Sequence, residues 1–356
     1  MRFVYNAFSG RYSDSPRALY ERLVADGGDH EHVWLADPAH AGAFPAGVPT
    51  VPVDGPEAVA ALERADAVVA NSHTELEWAK PAGALYLQTW HGTPLKRIHH
   101  DVLWAPEGRL ARLDRDVARW DRLISPNRAS TERLRGAFRF TGPVIETGYP
   151  RNDLLLSPER DEVRARVRAE LGLAEGTTAV LYTPTWRDQE HFAEGRPDIA
   201  LALDVQLFAD ALGEDWCLLP RLHYMMTDRM APLSGPAVRD VSRHPDIREL
   251  YLAADVMVTD YSSTMFDFAV TGKPLVFFAY DLDHYRDAVR GFYFDPVADA
   301  PGPVLATAEE VLEALADLDG VRERCADRYA AFQQRWCHLE DGRATDRVLE
   351  VLLDGR

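Results

Sequence analysis

Short apolar runs alternate with longer amphipathic stretches along this chain. Phe3–Tyr5, His32–Leu35, Val48–Val53, Ala67–Ala70, Leu85–Thr89, Leu123–Ser125 and Val144–Glu146 read as strands with helical segments between them. A second series follows at Ala179–Thr183, Trp216–Pro220, Val256–Thr259 and Leu275–Phe278. Runs that are apolar on both alternating faces belong to parallel sheets covered by helices on each side. Helix-start chemistry agrees: Asp14 and Ser15 precede Pro16, and a helical segment runs on to Asp26. The charged helix Pro158–Leu171 stops at Gly172, just before the second series. The pattern therefore predicts one α/β domain over residues 1–170, another over 171–335, and a C-terminal helix over 336–356. The two domains are each a doubly wound parallel sheet, which binds ligands outside the carboxyl ends of its strands.

Composition narrows the function. A formal charge of −18 excludes the broad basic face of a nucleic-acid binder, though it permits a local groove for an anion. The three cysteines, Cys217, Cys325 and Cys337, are far apart and lack C-x-x-C spacing, which argues against a disulfide framework or a cysteine zinc site. The N-terminal residues carry no apolar run of signal-peptide length, and no window approaches about 18 consecutive apolar residues. The expected location is the cytoplasm, with any membrane contact made from the surface of its inner face.

Six stretches carry candidate chemistry. In Ala254–Phe278, a buried strand leads through Asp260, Ser262, Ser263 and Thr264 into a short helix. Such a start offers backbone N–H groups and the positive end of a helix dipole to a phosphate. It equally suits an ordinary capped connection. His91, in LQTWHGTPLK, follows a strand directly, and Thr93-Pro94 reads as the next helix start. An imidazole kept neutral by the pKa-lowering end of that helix suits a general base, or a structural ring bonded to a carbonyl. Arg221 and His223 in LPRLHY suit a leaving phosphate. Thr185 and Arg187 in YTPTWRD, Arg290 ahead of Gly291, and Arg151 in YPRND are further anion contacts. Asp281-Leu282-Asp283 is too short a match to a metal motif and reads as a helix start. His99-His100 lacks partners at metal-ligand spacing and reads as solvated.

Taken in order, these pieces resemble one family. YSDSPRALYE (Tyr12–Glu21), WHGTPLK (Trp90–Lys96), GYPRND (Gly148–Asp153), YTPTWRD (Tyr182–Asp188) and RLHY (Arg221–Tyr224) are matched, as are TDYSSTMFDFA (Thr259–Ala269), KPLVFF with YDLDHY, RGFYFD and DGRATDRV. The set is similar to the CDP-glycerol glycerophosphotransferases that build teichoic acid and related polyol-phosphate polymers.

The resemblance implies a GT-B architecture, two Rossmann-like domains facing across a cleft, with a C-terminal helix returning to the first. It implies transfer of a polyol phosphate from CDP-glycerol or a related CDP-polyol to a lipid-linked or polymeric acceptor hydroxyl, with release of CMP. His91 matches the general base and His223 the second essential histidine. Gly92, Thr93, Lys96 and Arg151 fall on the acceptor side. Thr185, Arg187, Arg221, Asp260, Ser262, Ser263, Thr264 and Arg290 fall on the donor diphosphate. No metal or cofactor is implied. A CDP-ribitol donor stays open, as do a homo-oligomer and a peripheral membrane contact around Leu103–Leu123. The large N-terminal region of the longest polymerases is missing, which leaves attachment and processivity open. A UDP-sugar enzyme of the same fold is the competing reading, but the acidic sugar-gripping loop it needs is not found. A degenerate binding relative is disfavoured because both histidines stand in their motifs.

Overall fold

The computed structural model describes residues 1–185, 202–222, 233–285 and 291–353. Two compact units form: Met1–Pro94 with Ile98–Leu154 and His338–Arg356, and Leu95–Arg97 with Leu155–Cys337.

The first unit carries seven parallel strands: β1 (Arg2–Asn6), β2 (Glu31–Ala36), β3 (Thr50–Pro52), β4 (Ala67–Ala70), β5 (Leu85–Gln88), β6 (Arg122–Ser125) and β7 (Val144–Glu146), in the order 3-2-1-4-5-6-7. Alternation along the strands feeds two cores. Val4, Val68 and Leu123 meet Leu62, Trp120 and Phe138 on one face. Phe3, Tyr5, Val69 and Ile124 meet Leu19, Tyr20 and Leu23 on the other, where helix Ala344–Leu353 adds Val348, Leu349 and Leu352. The start of that helix is held by Asp153, whose carboxylate accepts from the N–H groups of Ala344 (3.0 Å) and Thr345 (2.7 Å).

The second unit repeats the plan with β8 (Thr178–Thr183), β9 (Trp216–Pro220), β10 (Ser234–Gly235), β11 (Val238–Arg239), β12 (Val256–Thr259), β13 (Leu275–Phe278) and β14 (Val304–Leu305), ordered 10-11-9-8-12-13-14. All its pairings are parallel except β10 with β11. Val180, Leu218, Val256, Val258 and Val276 pack with Phe208, Val311, Leu312 and Leu315. Apart from β7 and β10, both sheets follow one strand order.

The division between the units falls at Leu154/Leu155 rather than near residue 170. Helix Arg160–Glu170 packs in the second unit against helix Ile247–Ala253, and cations fix it there. Arg164 donates to the carbonyls of Leu252, Ala253 and Ala254 at 2.6, 3.0 and 3.0 Å, and Arg168 to Ala253 at 2.9 Å. Lys273 Nζ reaches Tyr251, Leu252 and Ala254 at 2.9, 2.8 and 2.7 Å. Three cations thus answer the negative end of one helix, which needs donors for its last carbonyls.

Candidate active site

In the first sheet the strand order reverses between β1 and β4, and the loops leaving β1, β4 and β5 meet there. Asn71, the residue after β4, is fully buried, and its Oδ1 accepts from the N–H of Phe8 at 2.9 Å. Its backbone oxygen lies 2.5 Å from His91 Nδ1. A carbonyl oxygen only accepts, so Nδ1 carries the proton and Nε2 keeps its lone pair. Trp90 and Phe8 wall the imidazole, with ring centres 4.1 and 5.2 Å away. Gln88 and Thr89 set the approach: Gln88 Oε1 accepts from the Trp90 N–H at 2.9 Å, and Thr89 Oγ1 donates to Ala70 O at 3.2 Å.

This crossing is strained and charged. Phe8, Ser9, Asp14 and Trp90 all hold positive φ, between 46° and 63°, a conformation that costs energy in non-glycine residues and gathers at functional sites. Asp14 pairs with Arg151 at 3.1 Å, their side chains only 9% and 3% exposed. Arg151 comes from the short turn of 3-10 helix Pro150–Leu156 and lies 4.1 Å over the Tyr149 ring. Burial pushes the His91 imidazole below its ordinary value of 6.5; Asp14 opposes this and Arg151 reinforces it. The ring is therefore neutral at neutral pH.

The second sheet reverses between β8 and β12, and the residues there are oxygen-rich. Asp260 is buried and accepts from Thr185 N at 2.9 Å, Thr185 Oγ1 at 2.5 Å and Tyr261 N at 2.6 Å. Thr183 Oγ1 donates to Thr259 Oγ1 at 2.9 Å and lies 3.3 Å from Thr264 Oγ1. Helix Thr264–Ala269 follows, with Ser263 at its N-cap making no side-chain cap bond and Ser262 Oγ accepting from the Thr264 N–H at 3.4 Å. Ser262, Ser263 and Thr264 are half-buried. Asp260 thus ties two strand ends together, and the residues after it stand at the helix start.

Several expectations change. Thr93 and Pro94 start no helix: the chain continues extended, and Lys96 bridges to Phe292 within the second unit. The low pKa of His91 therefore comes from burial and not from a helix dipole. Gly92 and Thr93 are buried directly behind His91. Lys96, expected with the acceptor residues, falls in the unit of the second sheet, its Nζ 5.9 Å from the Tyr285 ring. Arg151 pairs with Asp14 inside the fold. Arg221 donates to Val241 O at 2.8 Å and to His244 O, holding a loop. His99 is buried, not solvated, and has Asp114 within ligand range. His223, Arg187 and Arg290 lie outside the described residues.

Sequence reasoning passed over Asn71, Phe8 and the pairing of Asp14. Asn71 had a usable signal, a polar residue immediately after the buried run Ala67–Ala70. Asp14 was read only as a cap, since nothing local points to a partner 137 residues away.

The family model for CDP-Glycerol:Poly(glycerophosphate) glycerophosphotransferase matches residues 2–354. The teichoic acid poly(glycerol phosphate) polymerase of Bacillus subtilis (strain 168) is 36% identical over 359 residues, 98% of this chain and 48% of that protein. The chain thus spans about half the length of that relative. The teichoic acid glycerol-phosphate transferase of Staphylococcus aureus (strain NCTC 8325 / PS 47) is 36% identical over 358 residues, 98% of this chain and 92% of that one. A solved structure of the wall teichoic acid polymerase TagF, a variant soaked with CDPG, superposes with a TM-score of 0.89 at 34% identity, covering 99% of this chain and 88% of that one. The architecture is GT-B-like, and the chain belongs to the CDP-glycerol:poly(glycerophosphate) glycerophosphotransferase family.

Proposed function

We propose that the protein transfers glycerol phosphate from CDP-glycerol to the hydroxyl of a polyol-phosphate acceptor of the cell wall or a capsule, releasing CMP. The observation that carries this reading is His91. Its Nδ1–H is spent on Asn71 O, so Nε2 is a fixed lone pair at the strand switch point of the first unit. In the reaction the acceptor oxygen attacks the glycerol-bearing phosphorus while the bond to the CMP oxygen breaks. His91 Nε2 takes the hydroxyl proton, and CMP leaves with the bond electrons.

Phosphoryl transfer asks the protein chiefly for positioning and charge stabilisation. In the second unit, the hydroxyls of Ser262 and Ser263 and the helix start at Thr264 suit the donor diphosphate, with Asp260 and Thr185 as the clasp that positions them. Arg187, Arg221, His223 and Arg290 belong to the same proposal by family motif. In the first unit, Gly92, Thr93 and Arg151 shape the acceptor side behind His91. Family membership and the glycerol-phosphate names of the curated relatives favour glycerol over ribitol. The reading needs no cofactor. Among the described residues no helix is long and apolar enough to cross a membrane, so a lipid-linked acceptor would be met from the surface.

The test is CMP release from CDP-glycerol with a lipid-linked glycerol-phosphate acceptor, alongside CDP-ribitol and UDP-sugars. CMP from CDP-glycerol, lost in His91→Asn while donor binding persists, is the expected outcome. Release of UDP and no CMP, or full turnover by His91→Asn, overturns the reading.

A further inference from the structure

Away from His91, the first unit gathers His99, His100 and Asp114. One ligand-capable atom from each lies within 4.8 Å of the others. The two histidines come from the single 3-10 turn His99–Asp101 and the aspartate from helix Arg109–Val117.

His99 is the informative member. Its Nδ1 lies 3.2 Å from Ala137 O, and because a carbonyl only accepts, Nδ1 donates there. This is the arrangement by which a ligating imidazole is oriented from behind. The lone pair of Nε2 then points inward. Nε2 is buried with no hydrogen-bond partner, and the side chain is only 2% exposed. The atom it faces is Asp114 Oδ1 at 3.9 Å, itself an acceptor, which also lies 2.7 Å from His100 Nε2. A buried lone pair aimed at a carboxylate is unfavourable unless a cation stands between them.

We propose that His99 Nε2, His100 Nε2 and Asp114 Oδ1 bind one divalent metal of the zinc class. Two imidazoles and one carboxylate match the ligand preference of such ions. With metal–ligand distances of about 2.0–2.2 Å, tetrahedral ligands stand about 3.3 Å apart. The separations of 3.9 and 2.7 Å from Asp114 Oδ1 lie on either side of this, and all three atoms lie within 4.8 Å of one another. The fourth position is left to water, since no further His, Cys, Asp or Glu among the described residues joins the cluster. The ion would tie the turn at His99 to the helix at Asp114 across residues 102–108, where Leu103 and Trp104 are exposed by 55% and 77%. The role is structural and separate from the proton chemistry at His91.

The experiment uses the tag-free full chain, stripped with chelator and titrated with Co²⁺ under visible absorption, then with Zn²⁺ in competition. One equivalent of Co²⁺ with the intense bands of four-coordinate geometry, displaced by one Zn²⁺, is expected. Asp114→Asn and His100→Ala, both at partly exposed positions, should each weaken binding more than tenfold, as should His99→Gln. His338→Ala, an exposed histidine elsewhere, should leave it unchanged. Absence of stoichiometric binding at micromolar metal overturns the site, and so does binding that survives both Asp114→Asn and His100→Ala.

Discussion

Replacing either partner of the Asp14–Arg151 pair tests the architecture around His91 from two sides. The nitrogen–oxygen distance of 3.1 Å gives an attraction of about 5 kcal/mol at an effective dielectric of 20. Desolvation consumes most of this, yet removing one partner from a buried pair typically costs about 3–5 kcal/mol because the other charge stays behind. Asp14 sits at φ 63°, a conformation asparagine tolerates, so Asp14→Asn removes charge without new backbone strain. Arg151→Met keeps most of the side-chain volume. Each should lower the melting temperature of the first unit by roughly 6–12 °C, taking the lower cost and about 2–4 °C per kcal/mol.

The two variants must separate in the pH profile. Burial holds His91 below 6.5, Arg151 pushes it lower and Asp14 pulls it up. The acid limb of kcat/KM for the parent should therefore lie below pH 6.5. Asp14→Asn should move it further down and Arg151→Met should move it up. Stability has its own sign. Below pH 6.5 the unfolded chain binds the His91 proton more readily than the native one, so stability falls as pH drops from 6.5 through the folded value. The assay is CMP release across pH 4.5–8.5 beside thermal melts at each pH. Limbs that shift the same way in both variants, or an unshifted parent limb at or above 6.5, would refute the electrostatic account of His91.

Three further outcomes follow from the packing. Asp260→Ala removes the acceptor of three hydrogen bonds and leaves donors at half-buried Thr185 and buried Tyr261, which should cost about 1–3 kcal/mol; donor KM should rise more than kcat falls, read by CMP release against CDP-glycerol concentration. Lys273→Met removes the side-chain donor of Tyr251 O, while Leu252 O and Ala254 O keep Arg164, and should lower the stability of the second unit by about 1–2 kcal/mol, seen as a lower denaturant midpoint. Gly148 holds φ 76°, and a Cβ there would stand 2.9 Å from Leu339 O; Gly148→Ala should therefore speed amide exchange across helix Ala344–Leu353, and unchanged protection would count against the close approach.

The sheets were legible because central parallel strands are apolar on both faces, and Ala67–Ala70, Trp216–Pro220 and Leu275–Phe278 coincide with the observed strands, as does the edge strand Val144–Glu146. The two-residue strands β10, β11 and β14 are too short to leave a period. His91 was legible as a candidate because it terminates a buried strand. Its pKa cause was not, since Thr93-Pro94 has the local chemistry of a helix start but the chain runs on extended to the Lys96–Phe292 bridge. The partners of the charges were not legible for a related reason. Arg151 and Arg221 read as anion contacts because an arginine without a visible partner looks available. Their partners, Asp14 at 137 residues and the Val241–His244 loop at 20 and 23, come from the fold.

The repeated topology explains why two unlike sites arise on similar scaffolds. Both sheets reverse direction at corresponding positions, β1/β4 and β8/β12, and each opens strand ends to a ligand. At the first, a carbonyl is spent on one ring nitrogen, which leaves the other as a base in a neutral imidazole. At the second, the carboxylate of Asp260 is held by Thr185 and Tyr261, and hydroxyls and a helix start follow it in the chain. A base and an anion seat are different demands, and the same crossover meets both through which polar group is consumed by the fold. In the proposed reaction the proton chemistry therefore belongs to the first unit. A substitution that released Asp260 from Thr185 would let its existing negative charge turn toward the proposed donor, and should weaken donor binding more than it alters the proton-transfer limb.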